Sequence, residues 1–147
     1  MLAYDPATNP LNNNEWSFPL AECFHIAAFA FSFGTIALVD LRLLGLAMLK
    51  QKPSQLLKDT MIWTLLGLVV VITSGLVIFS SDPLSYYYNN AFRFKIICLV
   101  VAILYNYTIH RSVAMADRTG PVAAVTALVS LAMWVSITFA GLFYAFT

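Results

Sequence analysis

The sequence predicts an all-α membrane protein: an up-down-up-down bundle of four transmembrane helices with both termini in the periplasm. Three observations predict it. Four apolar stretches fill most of the 147 residues, and each exceeds the roughly 20 residues that a bilayer-spanning helix needs. Hydrophobic residues make up 61% of the chain and charged residues 10%, against about half and a quarter in a soluble domain, and the mean hydropathy is +0.80. The connections between the stretches are short, which makes successive helices antiparallel neighbours.

Residues 1–19, MLAYDPATNPLNNNEWSFP, carry acidic, Asn and Pro residues and no basic segment leading into an apolar run. They read as a periplasmic cap rather than a cleavable signal, with the first span serving as the targeting signal. The bundle then occupies residues 20–147, with helices expected at about 20–49, 56–80, 91–115 and 122–146. Lys50, Gln51, Lys52, Pro53 and Ser54 interrupt the first pair of helices, and Ser54 is a natural cap for the second. Ser81, Asp82 and Pro83 end the second helix. Tyr86, Tyr87 and Tyr88 follow in the connection, where aromatic residues form an interfacial belt or a docking surface. Asp117, Arg118, Thr119, Gly120 and Pro121 form the last turn, with Pro at a favoured first-turn position.

Orientation follows from Lys and Arg near the span ends. Arg42, Lys50, Lys52, Lys58, Arg111 and Arg118 flank the first and third loops, against Arg93 and Lys95 on the other side. The first and third loops are therefore expected in the cytoplasm and the termini outside, in the bacterial inner (cytoplasmic) membrane. A net charge of +1 and the lack of a basic patch with interleaved aromatics exclude nucleic-acid binding. Cys23 and Cys98 show neither CxxC nor zinc spacing and read as small packing residues.

Ionisable residues inside a span are costly and need partners or a function. At about 100° per residue, Glu22, Phe29, Phe33, Ile36 and Asp40 share one face of the first helix, with His25 close by. Lys95, Leu99, Ala102, Asn106 and His110 share one face of the third. Two polar clusters are expected. The outer one holds Glu22, His25 and Lys95 with Arg93; the inner one holds Asp40, Asn106 and His110 with Arg42. His25 and His110 differ in depth by about 20 Å at 1.5 Å per residue, which argues against one haem bridging them.

Glu22-x-x-His25 has the one-turn spacing of helical metal sites. With Glu15 and Glu22 the only glutamates, a di-iron carboxylate site is excluded. A single copper or zinc at Glu22, His25 and a third group, or a single haem b, is the remaining cofactor reading. The competing reading is structural, with both clusters acting as staples between helices.

The pieces Trp16, Glu22-x-x-His25, Gly34, Asp40-Leu41-Arg42-Leu43-Leu44-Gly45, Gly75 with Phe79, Asn90-Ala91-Phe92-Arg93-x-Lys95, Asn106 and His110 together resemble an uncharacterised bacterial family of small four-helix integral membrane proteins, a domain of unknown function. A looser similarity links the chain to the four-helix modules of copper-resistance membrane proteins. The resemblance implies the bundle and the same polar residues, and it implies no activity.

No nucleophile triad, phosphate loop or dinucleotide fingerprint is present. The expected role is a non-catalytic integral subunit or accessory protein of a larger bacterial membrane complex, not an enzyme. Its partners would be the lipid bilayer and other membrane or periplasmic subunits, met through Trp16 and the tyrosine run. The alternatives are a redox or metal-handling module and a small proton-coupled carrier or channel. For the carrier, Phe29, Phe33, Ile36, Leu99 and Ala102 leave an apolar gap of roughly 15 Å between the clusters.

Overall fold

A backbone in lipid must satisfy its own hydrogen bonds, and this chain does so with helices. The computed structural model describes residues 5–144. Helix α1 spans Ser17–Leu43, α2 Pro53–Phe79, α3 Pro83–Tyr88, α4 Asn90–Met115 and α5 Pro121–Tyr144. All but the short α3 are long and apolar enough to cross a membrane, so the chain is a four-span, all-helical membrane protein. The fourth helix's expected end near 146 lies outside the described residues, as does the start of the cap.

The first helix is shorter than the expected 20–49. It ends because Gly45 takes a φ of 74°, a left-handed conformation that suits glycine. The Gly45 N–H donates to Arg42 O at 3.1 Å and the Leu46 N–H to Leu41 O at 2.9 Å, closing a Schellman motif over the last carbonyls. Residues 44–52 are therefore a loop. The second helix begins at Pro53 rather than near 56, with Lys52 in the cap position.

The far loop holds this start in place. Asp117, at φ 49°, accepts from the Ser54 N–H at 2.9 Å and from the Ser54 hydroxyl at 3.0 Å. Its carboxylate sits at the N-terminus of α2, where the helix dipole favours negative charge. The Ser54 N–H, then the Ser54 hydroxyl, hold the Asp117 carboxyl below its ordinary value.

Residues 5–16 make two 3-10 turns, Pro6–Thr8 and Pro10–Asn12. They dock on the opposite end of α2, where Asn9 Nδ2 donates to Ser80 O at 2.7 Å and Asn12 Nδ2 to Ser81 O at 3.0 Å. Residues 9 and 12 thus tie this segment to the corner that follows α2.

Helix α1 packs on α2 and α5, and α4 packs on α5. The α1–α2 seam is set by small residues. Ser32 is fully buried opposite Gly67, and Thr35 and Thr64 bring their hydroxyls to 2.7 Å. Helix α2 meets α4 through residues 111–115, where Leu43, Leu56, Val113, Ala114, Ala123 and Ala127 form one core. A second core above it contains Ile36, Leu68, Ala102, Trp134 and Ile137, flanked by Phe29, Phe33 and Leu99. The bundle is thus tight at the end bearing the first and third loops and looser at the end bearing the termini.

Two outcomes follow. A Cβ at position 67 would run into Ser32 Oγ, so Gly67→Ala is expected to destabilise the fold by about 1–3 kcal/mol. Adding Ser32→Ala should recover much of that in detergent melts; no recovery would show that the seam is not set by this contact. Because Asp117 has a depressed folded-state value, its contribution is complete above the ordinary 3.8 and is lost as pH falls through the lowered value. Melting temperature should therefore fall more for wild type than for Asp117→Asn between about pH 7 and pH 3, and equal falls would remove Asp117 as the cause.

Candidate functional site

The termini-bearing half of the bundle encloses a cavity of about 460 Å³. Each long helix contributes to it. Glu22, His25 and Phe29 come from α1, Gly75 and Phe79 from α2, Lys95 and Leu99 from α4, and Thr138 and Gly141 from α5. Its roof is aromatic: Phe79 stacks on Phe92 with centroids 5.7 Å apart, and Tyr86 lies 5.2 Å from Phe92. Its lining also includes Ile72, Leu76 and Ile96, which are exposed on the lipid-facing surface.

Three polar side chains converge on these apolar walls. His25 Nδ1 is 2.9 Å from Ser74 Oγ. The Ser74 hydroxyl donates to Val70 O at 2.6 Å, so its oxygen accepts from Nδ1–H and the His25 Nε2 is left with a lone pair. Gly75 makes room for this ring, since a Cβ there would stand 3.2 Å from His25 Cε1. Lys95 runs beside Gly141, with Nζ 3.5 Å from where a Cβ would lie. Glu22 is near enough to act on Lys95 electrostatically, but among the described residues the only ion pair within 4 Å is His110–Asp40.

Three of the four expected outer residues, Glu22, His25 and Lys95, are thus brought together. Arg93 is not: it is exposed and outside the cavity lining, because it lies two residues from Lys95 and a helix turns that to another face. Of the expected interface residues, Trp16, Tyr87 and Tyr88 are exposed at 72%, 61% and 75%, whereas Tyr86 is 5% exposed. Helix α3 forms where the sequence suggested a plain connection, and it turns Tyr86 inward onto Phe79 and Phe92.

The inner cluster is a different kind of object. Asp40 is fully buried. One carboxylate oxygen lies 2.6 Å from His110 Nε2 and the other accepts from Ser130 Oγ at 2.8 Å, joining α1, α4 and α5. Asn106 and His110 bound a π turn in α4, in which the Arg111 N–H reaches back to Asn106 O. Such an inserted residue re-aims the side chains after it, and π turns recur at functional sites. Arg42 is not part of this cluster; its Nε donates to Gln51 O in the loop, placing the guanidinium at the helix end. Ser130, the second partner of Asp40, is not among the polar residues that the sequence singles out.

His25 and His110 line separate cavities. Among the described residues no group of three or more His, Cys, Asp and Glu is placed to hold a metal ion, so a metal at the outer cluster would have Glu22 and His25 Nε2 from that set. Cys23 and Cys98 are free thiols.

Residues 17–147 match a family described as a family of unknown function, DUF6644. The chain belongs to that family. No curated protein and no solved structure matches it. The DUF6644 match covers all four spans, including α5, which carried little of the resemblance seen in the sequence.

Proposed function

We propose that this DUF6644 protein is a non-catalytic membrane binding subunit that holds a lipid-soluble ligand with an electron-rich oxygen head, a carbonyl or carboxylate. The observation that carries this reading is the cavity itself. Its volume of about 460 Å³ falls within the roughly 300–1,000 Å³ of small-molecule sites, which are mostly apolar with a few convergent polar groups. Lys95 offers three donors with no carboxylate of the described residues within 4 Å, and His25 adds a ring nitrogen beside it. The head group would sit between them, and the apolar body would lie along Phe29, Leu99 and the lipid-facing Ile72, Leu76 and Ile96. Glu22, exposed but lining the same cavity, tempers the charge of Lys95 and so widens the choice of head group from anions to neutral carbonyls.

Membership of a larger assembly is the companion reading. Trp16, Tyr87 and Tyr88 stand exposed, and aromatic residues are enriched both at membrane interfaces and at protein–protein contacts. The single-haem and copper readings have His25 Nε2 as their one imidazole at this cavity. The carrier reading gains less support, because the core of Ile36, Leu68, Ala102, Trp134 and Ile137 fills the space between the two clusters.

Native mass spectrometry of the protein drawn gently from its own membranes tests the proposal. Wild type should retain a lipid-soluble adduct that Lys95→Met and Leu99→Trp lose while still melting cooperatively. Equal adducts in all three would mean the cavity is not the holder, and larger proteins in fixed stoichiometry would identify the assembly. The excess of Lys and Arg at the end bearing the first and third loops supports a cavity in the periplasmic half of the inner membrane. A single-cysteine reporter at Glu15 in a Cys23→Ala, Cys98→Ala background should then react with an impermeant maleimide in intact spheroplasts; labelling only after lysis would invert the orientation.

A further inference from the structure

The π turn of α4 brings His110 into the bundle with only one ring nitrogen engaged. Its Nε2 meets Asp40 Oδ1, while Asp40 Oδ2 accepts from Ser130. With Asp40 ionised, Nε2 carries the hydrogen directed at Oδ1 and Nδ1 presents a lone pair. Among the described residues that Nδ1 is buried and has no hydrogen-bond partner, and the Tyr107 hydroxyl is in the same condition. Unsatisfied buried polar atoms are rare and point to a missing partner.

The two residues line one small cavity of about 20 Å³. One water requires about 10–15 Å³ by this kind of measure, and two to four polar partners. Thr60, Thr64 and Asn106 border the same space. So do Met61 and Arg111, which are exposed. The cavity therefore reaches the surface low on the bundle, near the end bearing the first and third loops. Toward the other end, Ile36 belongs both to its lining and to the apolar core beneath Trp134.

We infer that this space is a proton-holding site, in which one water bound by Tyr107 passes protons to and from His110 Nδ1. A hydronium in the cavity gives its proton to the Nδ1 lone pair and is left as water. The N–H bond so formed makes an imidazolium, and the Asp40–His110 pair goes from one net negative charge to none. Release reverses the step, and no electrons are transferred. Asp40 from α1 and Tyr105, Tyr107 and Arg111 from α4 are the titratable or charged groups that bear on the pair. Tyr105 is tied to Thr126 O at 3.1 Å. Helix α2 presents Thr60 and Thr64, and α5 presents Ser130, none of which titrates in this range. The site does not depend on what the larger cavity binds.

Nitrogen-15 NMR of histidine-labelled protein in nanodiscs tests the site, with His110→Gln to assign the second histidine. His110 should be a neutral ring protonated at Nε2 at the high end of the pH range over which the fold is stable, and should gain a second ring proton toward its low end. Tyr107→Phe removes one partner of the water and should displace the midpoint of that protonation, with a melting temperature near wild type. Thr64→Val serves the same purpose if Tyr107→Phe does not fold. Constant His110 nitrogen shifts across that range would overturn the proposal, and so would a midpoint indifferent to both variants. Proteoliposomes should hold a pH gradient as long as protein-free vesicles; a protein-dependent leak would refute a site closed toward the termini.

Discussion

The Asp40 carboxylate sets the terms for the rest of the bundle. It is fully buried in a span, where an unpaired charge is expensive, and breaking a buried pair typically costs about 3–5 kcal/mol. His110 and Ser130 satisfy it from two other helices. That requirement fixes the rotation of α4 and α5 about their own axes and their height against α1. Apolar packing alone specifies neither strongly in lipid, because hydrocarbon tails are as apolar as the side chains they would replace.

The tight and loose halves follow from this anchoring. Around Asp40 the helices are drawn together by the polar network and by Ala114, Ala123 and Ala127, all fully buried. Toward the termini the described residues form no comparable buried network: His25 meets Ser74 and Lys95 lines the chamber. Glycines at 75 and 141 keep that space clear at His25 and Lys95. The same four helices thus hold a cemented base and a chamber above it, and the apolar core with Trp134 separates the two.

Much of this was legible in the sequence. The four spans followed from length and hydropathy, and the periodicity that put Glu22, His25 and Lys95 at one end and Asp40 and His110 at the other reflects real helix faces. What escaped were local departures from ideal geometry. Gly45 sits inside an apolar run that reads as helix, and only its left-handed conformation ends α1. The π turn shifts the phase of α4 after Asn106 without any residue that announces it. Ser130 was visible as a small polar residue, but a serine in a span usually bonds its own helix, as Thr126 and Ser136 do here. Tyr86 was indistinguishable from its two exposed neighbours because a three-tyrosine run does not reveal which ring a six-residue helix turns inward.

The docked amino-terminal segment has a mechanical consequence. Asn9 and Asn12 grip Ser80 and Ser81, the corner from which α3 swings Tyr86 over the chamber. The lid is consequently strapped to the body by a stretch of chain outside the spans. Losing either asparagine would therefore loosen the corner that carries Tyr86 without touching a single residue inside the spans.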